Sequence, residues 1–355
     1  MKWIIPISSG LLASISLVSL RSIAPDLMQR QLIYFLAASC IFFLMQKIRF
    51  EFLVQKSIIF YLLTIFTLLL LFGLGVTTRS TVRWIELPLG FKIQPSQFVP
   101  VIVSLLLAKK WSKQKIQSWK GLLNFLITLF LPIVLVLLQP DFGTSVVILV
   151  SLLSTLLFSS IRFKQVVSLS VVGVISLVLL WSLILKPYQK SRITSFFNRE
   201  QQQAQASAYN ARQALIAVGS GQVFGRGLGA GVQSHLRFLP ERQTDFIFAS
   251  IAEEWGLVGS LIILCLYFSL LITLLVACYQ ADVAEHQVII IVLFVNLFSQ
   301  IFVNIGMNVG LVPITGLTLP FLSYGGSSII SFSIYLGLVF NVISLRRTKP
   351  SLEIS

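Results

Sequence analysis

The sequence predicts an all-α polytopic membrane protein, and three features of the chain support this prediction. Of its 355 residues, 56% are hydrophobic and only 11% are charged, which is too little charge to cover a soluble domain of this length. Long apolar runs follow one another along most of the chain, as transmembrane helices do. Basic residues are concentrated in alternate connections between those runs. We therefore expect the lipid bilayer to be the main solvent of this chain.

Ten apolar runs are candidates for transmembrane helices. They cover approximately residues 3–20, 31–47, 57–76, 97–108, 121–138, 143–160, 165–185, 256–278, 286–308 and 328–345. A helix needs about 20 apolar residues to span the hydrocarbon core, so the short fourth run must be tilted or extended by its neighbours. The first run follows only Lys2 and is interpreted as a signal-anchor helix, because further apolar runs follow it.

The distribution of basic residues predicts the orientation of these spans. With the N-terminus inside the cell, the inner segments contain fourteen basic residues and the short outer segments contain five. The five outer residues are Arg21, Arg30, Arg79, Arg83 and Lys92. Since basic residues of short loops stay in the cytoplasm, both termini are predicted to be cytoplasmic. This orientation also accounts for the net charge of +15, so the charge does not indicate a nucleic-acid partner.

The connection between the seventh and eighth spans, residues 186–245, is predicted to be a large extracytoplasmic loop. It contains eight basic and three acidic residues, which gives a net charge of +5 and favours an anionic partner. A long connection in a compact protein is usually either functional or disordered. Residues 209–218 are predicted to form a short amphipathic helix within it. We interpret residues 1–355 as a single membrane domain that includes this loop.

Four acidic residues in or beside apolar runs are candidates for chemistry. Asp141 directly precedes the sixth run, where aspartate commonly caps a helix, and we favour that structural role. Asp245 ends the basic loop immediately before apolar residues, and there a helix cap and a catalytic carboxylate are equally favoured. Glu253 and Glu254 follow among apolar residues, where a charge is costly and is expected to be paired or functional.

Glycine, cysteine and histidine residues indicate little chemistry by themselves. Residues 225–230 match the spacing of a dinucleotide-binding turn, but they follow a polar loop rather than a strand, so we reject that interpretation. The glycines of 219–231 could instead let backbone N–H groups approach a phosphate. Cys40, Cys265 and Cys278 lie in apolar runs, which favours core packing. No cluster of metal ligands is visible, so no cofactor is assigned, although a divalent cation is compatible with the sequence.

Six groups of residues resemble the SEDS family (shape, elongation, division and sporulation proteins). In chain order they are Arg83-Trp84 with Gln94-Pro95-Ser96; Gln139-Pro140-Asp141-Phe142-Gly143-Thr144-Ser145; Tyr188-Gln189 with Arg192; Gln213 with Ile216-Ala217 and Gly219-Ser220-Gly221; Leu239-Pro240-Glu241-Arg242 with Thr244-Asp245-Phe246-Ile247-Phe248; and Pro313-Ile314-Thr315-Gly316-Leu317-Thr318-Leu319-Pro320 with Ser323-Tyr324-Gly325-Gly326-Ser327-Ser328. Ten spans with a large outer loop after the seventh are also typical of that family. Residues 188–189, 240–242 and 313–316 resemble its elongation branch more than its division branch.

The resemblance implies a peptidoglycan glycosyltransferase of the bacterial cytoplasmic (inner) membrane. Such enzymes polymerise glycan strands from lipid II outside that membrane, with a class B penicillin-binding protein that crosslinks the strands and with the elongation machinery. The acid of the family's Thr-Asp-Phe motif, here Asp245, is essential for catalysis. The other residues of these motifs that are expected to bind lipid II or the polyprenyl-linked glycan are Arg192, Gln213, Ser220, Glu241, Arg242, Thr244 and Ser323.

A single carboxylate is chemically sufficient for this reaction. A glycoside hydrolase usually needs two carboxyl groups because its leaving alkoxide must be protonated, whereas a pyrophosphate is already a good leaving group. Asp245 is therefore predicted to take the proton of the acceptor hydroxyl while cations stabilise the departing charge. Arg192 and Arg242 are expected to attract the pyrophosphates, with Arg212 as a further candidate. The polyprenyl tail is expected to lie in a groove open to lipid.

The chain departs from the family pattern at four positions. Gln97 and Pro100 stand where the family usually has an acid and a lysine, Gln243 where it commonly has a histidine, and Gln222 where it has a glycine. Because the acid and the lysine are absent together, neither charge is left without its partner. Two alternatives to a polymerase stay open: a lipid II flippase, and a scaffold that only positions its penicillin-binding protein.

Overall fold

The structure, a computed structural model, consists of helices packed against one another. It describes residues 2–345 except 79–80, 87–89, 112–117, 159–161, 180, 183–189, 191–193 and 195–205. The helices are α1 (Ile4–Ile23), α2 (Pro25–Lys47), α3 (Phe50–Leu74), α4 (Val99–Trp111), α5 (Trp119–Leu138), α6 (Phe142–Leu153), α7 (Phe163–Leu179), α8 (Ala206–Ser220), α9 (Val232–His235), α10 (Ile247–Tyr279), α11 (Ala284–Asn308) and α12 (Gly326–Leu345). Two 3₁₀ helices, Pro95–Phe98 and Ser154–Phe158, precede α4 and follow α6.

Each of the ten predicted apolar runs overlaps one helix of the structure. Among the described residues, seven helices are long and apolar enough to cross a membrane: α1, α2, α3, α5, α10, α11 and α12. The other three runs correspond to α4, α6 and α7, which have 13, 12 and 17 residues. The prediction of an all-α polytopic membrane protein is therefore confirmed. The total of ten spans and their orientation stay predictions, since a 13-residue helix is only about 20 Å long.

Helix α10 begins at Ile247, earlier than the predicted start at 256, and is interrupted at Gly256. That glycine has a φ of 68°, which side-chain-bearing residues rarely adopt. The N–H groups of Leu257 and Val258, after the break, donate to the carbonyl oxygens of Gln222 and Val223 at 2.9 and 3.1 Å. Residues 222–223, which belong to the predicted extracytoplasmic loop (named the outer loop for that predicted position), thus satisfy backbone groups that the break would otherwise leave unpaired.

A small antiparallel sheet lies between α3 and α4 and was not predicted from the sequence. Its strands β1 (Val76–Thr78), β2 (Thr81–Glu86) and β3 (Lys92–Ile93) pair in the order β1-β2-β3. Strands of two to six residues give little period-two signal, so sequence periodicity does not reveal them. The sheet carries Arg83, one of the outer basic residues, on β2.

The last two helices form much of the interior. In the most apolar 18-residue stretch of α12, 83% of the residues are buried. The corresponding share is 61% in α11 and 22% in α2. Helix α12 packs closely against α2 because Gly337 has no side chain: a Cβ atom there would lie 2.8 Å from the Cβ of Met45. Between α10 and α11 an exposed apolar groove of about 450 Å³ is lined by residues that include Phe268, Phe298 and Phe302.

Candidate active site

Asp245 lies in a tight turn that leads directly into α10. The carbonyl oxygen of Glu241 accepts the backbone N–H groups of Thr244 and Phe246 at 3.1 and 3.2 Å. The Thr244 hydroxyl donates to a carboxylate oxygen of Glu241 at 3.0 Å. Phe246 is buried, whereas Asp245 is half-buried. The turn therefore holds Asp245 at the boundary between the core and the outer loop.

The connection between α11 and α12 is attached to this turn by two hydrogen bonds. The Ser323 hydroxyl donates to the carbonyl oxygen of Thr244 at 2.6 Å. The backbone N–H of Tyr324 donates to the carbonyl oxygen of Gln243 at 2.8 Å. Ser323 is almost completely buried, whereas Gln243, Thr244 and Tyr324 are half-buried. Two segments that the sequence places far apart are thus fixed side by side.

Gly316 brings the same connection close to the Asp245 carboxylate. A Cβ atom on Gly316 would lie 3.6 Å from Oδ2 of Asp245, and the φ of Gly316 is 76°. On the other side of the connection, a Cβ atom on Gly143 of α6 would lie 3.1 Å from the Cβ of Thr315. The irregular connection therefore lies between α6 and Asp245 and forms one wall beside the carboxylate.

Two buried asparagines on α11, which were not selected from the sequence, contact the backbone of Asp245. The side-chain amides of Asn304 and Asn308 donate to the carbonyl oxygen of Asp245 at 3.0 and 3.2 Å. Burying an amide costs free energy unless the amide is hydrogen-bonded. Two asparagines one turn apart in an apolar run therefore indicate a buried polar contact, and this signal was present in the sequence.

Arg242 connects the turn to the end of α1. Its Nε and Nη2 atoms donate to the carbonyl oxygen of Ile23 at 3.2 and 3.0 Å. Burial and the nearby charge of Arg237 lower the pKa of Arg242 below its ordinary value. The guanidinium nevertheless stays charged at neutral pH, because arginine is not deprotonated in proteins. Arg242 thus anchors the turn to the end of α1 and places a positive charge there.

Helix α8 packs against the turn and confirms the predicted helix over 209–218. Ala214 and Ala217 are fully buried and pack in one apolar cluster with Phe246. Small side chains at these two positions let the helix lie close to the start of α10.

Of the remaining predicted substrate residues, all but Arg192 lie on α8. Gln213 is half-buried on α8, directly before the buried Ala214, and Arg212 is exposed on the same helix. The Ser220 hydroxyl donates to the carbonyl oxygen of Ala217 at 2.9 Å, within the last turn of α8. Arg192 lies outside the described residues.

Glu253, in the first part of α10, is fully buried and binds the start of α9. Its carboxylate accepts the backbone N–H groups of Gln233 and Ser234 at 2.8 and 3.0 Å, and the Ser234 hydroxyl at 2.7 Å. The expectation that this acid is paired or functional is met by hydrogen-bond donors rather than by a cation. Glu253 therefore ties α9, a part of the outer loop, to the core.

Glu254 joins the end of α1 to the outer loop. Its Oε1 atom accepts the Ser22 hydroxyl and the backbone N–H of Gly229, and lies 3.0 Å from Nε2 of His235. The carboxylate is almost completely buried, while His235 is partly exposed. Like Glu253, this acid binds partners in the outer loop.

The glycine-rich segment packs against these two glutamates. The N–H of Gly227 donates to the carbonyl oxygen of Glu254 at 3.0 Å, and that of Gly225 to Gly221 at 2.8 Å. A Cβ atom on Gly225 would lie 2.1 Å from the Glu254 carbonyl oxygen. The interpretation that these glycines approach a phosphate is therefore wrong for Gly221, Gly225, Gly227 and Gly229, because their N–H groups bind the protein itself.

Asp141 caps α6, as the sequence predicted. Its Oδ1 atom accepts the N–H of Thr144 at 3.2 Å. The same buried carboxylate pairs with Arg83 at 3.4 Å and accepts the side-chain amide of Gln94 at 3.1 Å. Two of the six motif groups that resemble the SEDS family thus meet in one cluster around Asp141.

We expect replacement of Arg83 by methionine to destabilise the protein by about 3 kcal/mol, because it leaves the buried Asp141 carboxylate without a cation. The measurement is the free energy of unfolding in detergent. Arg21→Met, which removes an exposed basic residue of α1, is the control and should change stability by less than about 0.5 kcal/mol. Equal stabilities of the two variants would show that the pair contributes nothing.

The structure shows the local environment of three of the four departures from the family pattern, at residues 97, 100 and 222. Gln222 has a φ of 49°, a conformation that favours glycine, which accounts for the glycine usual at this position. Pro100 lies in the first turn of α4. Backbone N–H groups in the first turn have no acceptor within the helix, so a proline there costs no hydrogen bond. The carbonyl oxygens of Gln97 and Pro100 accept the hydroxyls of Ser331 and Tyr335 of α12, at 2.6 and 3.4 Å.

No group of three or more histidine, cysteine, aspartate or glutamate side chains that could hold a metal ion is found in the part of the chain that the structure describes.

Comparison with known proteins gives consistent matches along the chain. The model of a cell cycle protein family, that of FtsW, RodA and SpoVE, matches residues 3–348. The peptidoglycan glycosyltransferase MrdB of Escherichia coli is 33% identical over 289 residues, which are 81% of this chain and 77% of MrdB. The probable peptidoglycan glycosyltransferase FtsW of Aliivibrio salmonicida is 34% identical over 323 residues, 89% of this chain and 79% of that protein.

Solved structures match over almost the full length. A chain from a peptidoglycan synthase complex, described for its coordination of polymerisation and crosslinking, superposes with a TM-score of 0.83 at 26% identity and covers 98% of each chain. The rod shape determining protein RodA of Thermus thermophilus superposes with a TM-score of 0.73 at 25% identity and covers 97% of each chain.

Proposed function

The chain belongs to the cell cycle protein family of FtsW, RodA and SpoVE, the SEDS family, and we propose that it is a peptidoglycan glycosyltransferase. In this proposal it polymerises glycan strands from lipid II at the outer face of the bacterial cytoplasmic membrane. The observation that carries the proposal is the position of Asp245. Its half-buried carboxylate lies where the basic outer loop meets the core, beside the wall formed by Gly316.

Asp245 acts as the general base of this reaction. It accepts the proton of the acceptor sugar hydroxyl while that oxygen forms a bond to the anomeric carbon of the donor. The bond between this carbon and the pyrophosphate oxygen breaks, and the polyprenyl pyrophosphate leaves as an anion that needs no protonation. General base catalysis of this kind contributes about 10²–10⁴-fold to a rate.

Positive charges of the outer loop stabilise the leaving pyrophosphate. Arg242 is fixed near the turn by Ile23, and Arg212 is exposed on α8 above it. Fixed cations close to developing negative charge lower the barrier most when they need no reorganisation. Arg192 is a third candidate for the same role from its motif.

The remaining predicted residues are assigned by what they contact. Glu241, Thr244 and Ser323 hydrogen-bond within the turn, so in this proposal they shape the substrate pocket around Asp245. Gln213 and Ser220 on α8 are proposed to contact the sugars or the phosphates of the lipid-linked substrate.

A crosslinking partner fits this function. A solved relative of this fold is part of a synthase complex that coordinates polymerisation and crosslinking. We propose a class B penicillin-binding protein as the partner and the cell-elongation machinery as the setting. The elongation branch is favoured by residues 240–242 and 313–316, while relatives of both branches are similar to this chain.

The test is reconstitution of the wild-type protein with its penicillin-binding partner in liposomes that contain lipid II. Glycan strands, resolved by gel electrophoresis, are expected only when both proteins are present and the transpeptidase inhibitor penicillin does not abolish them. Transport of lipid II between leaflets without strand synthesis would instead support a flippase. Neither activity, with a partner that still assembles, would support a scaffold.

A further inference from the structure

Two side chains of α11 hold one backbone atom of the proposed catalytic residue. The amide nitrogens of Asn304 and Asn308 both donate to the carbonyl oxygen of Asp245, at 3.0 and 3.2 Å. Both asparagines are fully buried. They lie one helical turn apart, which places their side chains on the same face of α11.

Asn304 also binds the connection that forms the wall beside the carboxylate. The same amide nitrogen donates to the carbonyl oxygen of Leu317 at 2.7 Å. An amide nitrogen carries two hydrogens, so both are used: one on Asp245 and one on the residue after Gly316. Asn304 therefore sets the distance between the backbone of Asp245 and the wall of its site.

Asn308 performs the equivalent task towards α10. Its side-chain oxygen accepts the backbone N–H of Ala249 at 3.0 Å, one of the N–H groups at the start of α10 that have no partner within the helix. Its amide also donates to the carbonyl oxygen of Asn304 at 2.7 Å. One side chain thus connects the start of α10, the end of α11 and the Asp245 turn.

We propose that Asn304 and Asn308 are positioning residues that orient Asp245 for proton transfer. This inference rests on the proposed function, because it assigns to them the placement of the general base. The role needs a side chain with two donors and an acceptor in a fully buried position, and asparagine supplies both within a short side chain. A leucine of similar size cannot replace these bonds, and it leaves the carbonyl oxygens of Asp245 and Leu317 without this donor.

The test compares Asn304→Leu with Asn296→Leu in the reconstituted complex. Asn296 lies two turns earlier on α11, is almost completely buried and accepts the side-chain amide of Gln300 at 2.9 Å. Both variants therefore lose a buried amide hydrogen bond in the same helix, and only Asn304→Leu loses one of the two bonds that hold the carbonyl oxygen of Asp245. We expect kcat for strand synthesis to fall about 10²-fold in Asn304→Leu with KM for lipid II unchanged, since small misplacements of a reacting group have effects of this size. The kcat of Asn296→Leu should stay within about twofold of the wild type, within the scatter expected for a residue outside the site.

The outcomes separate this inference from the proposed function. An inactive wild-type complex speaks against the proposed function itself. An active wild type with equal kcat in Asn304→Leu and Asn296→Leu overturns only the positioning role. A fall of kcat in proportion to lost thermal stability in both variants also overturns it, because the role would then be structural. If Asn304→Leu does not fold, Asn308→Leu takes its place, and an unchanged kcat there overturns the inference as well.

Discussion

The Asp245→Asn variant is expected to lose strand synthesis from lipid II by about 10²–10⁴-fold, because asparagine has nearly the same shape but accepts no proton from the acceptor hydroxyl. The turn around Asp245 is held by backbone atoms of Glu241, Thr244 and Asp245 itself, so this substitution leaves those hydrogen bonds in place. Folding and assembly with the penicillin-binding protein should therefore be unchanged. The measurement is the rate of polymerisation in liposomes, together with co-purification of the partner.

A matched control is Asp26→Asn, which neutralises an exposed acid in the first turn of α2. It removes the same charge from a predicted outer position of the protein without touching the turn. Full activity of Asp26→Asn beside an inactive Asp245→Asn is the pattern that a catalytic base requires. Polymerisation by both variants at the wild-type rate would exclude Asp245 as the base.

The Glu253→Ala variant is expected to lower the free energy of unfolding by about 3–5 kcal/mol, because it removes a buried carboxylate that accepts three hydrogen bonds. These are the two N–H groups of Gln233 and Ser234 and the Ser234 hydroxyl, all of which bind the Glu253 carboxylate. The first effect should be release of α9 from α10. Hydrogen exchange of the amides of Gln233 and Ser234 and a denaturant titration in detergent measure the two effects.

The control for this prediction is Glu51→Ala, which removes an exposed acid in the first turn of α3. Its stability should stay within about 0.5 kcal/mol of the wild type, as for most surface substitutions. Protected amides at Gln233 and Ser234 in Glu253→Ala would mean that the carboxylate does not hold α9.

Much of the membrane fold follows from local sequence patterns. Apolar runs predict the helices because each helix must cover itself with apolar side chains in lipid. The cap at Asp141 was predictable because its partner, the N–H of Thr144, lies only three positions further along the chain. The early start of α10 was not predictable from hydropathy, since its first part contains the acidic pair Glu253 and Glu254.

The partners of buried polar groups depend on contacts between distant segments. Glu254 contacts Ser22, and Asn308 contacts Asp245. Both pairs are far apart in the sequence, so no local pattern predicts that they meet. The glycine-rich segment was misinterpreted for the same reason: its glycines serve close packing on the backbone of Glu254. The Asp245 turn itself was located from the sequence by its motif, while the contacts of Asn304 and Asn308 with it were visible only in the structure.

The most direct test of the role of Asp245 is the single-turnover rate of the first glycosidic bond formed from lipid II, measured by rapid quenching with enzyme in excess. Under these conditions product release and chain growth do not enter the rate. We predict that Asp245→Asn binds lipid II as tightly as the wild type and forms this bond about 10²-fold more slowly or worse. Bond formation at the same rate in both proteins would contradict the assignment of Asp245 as the general base.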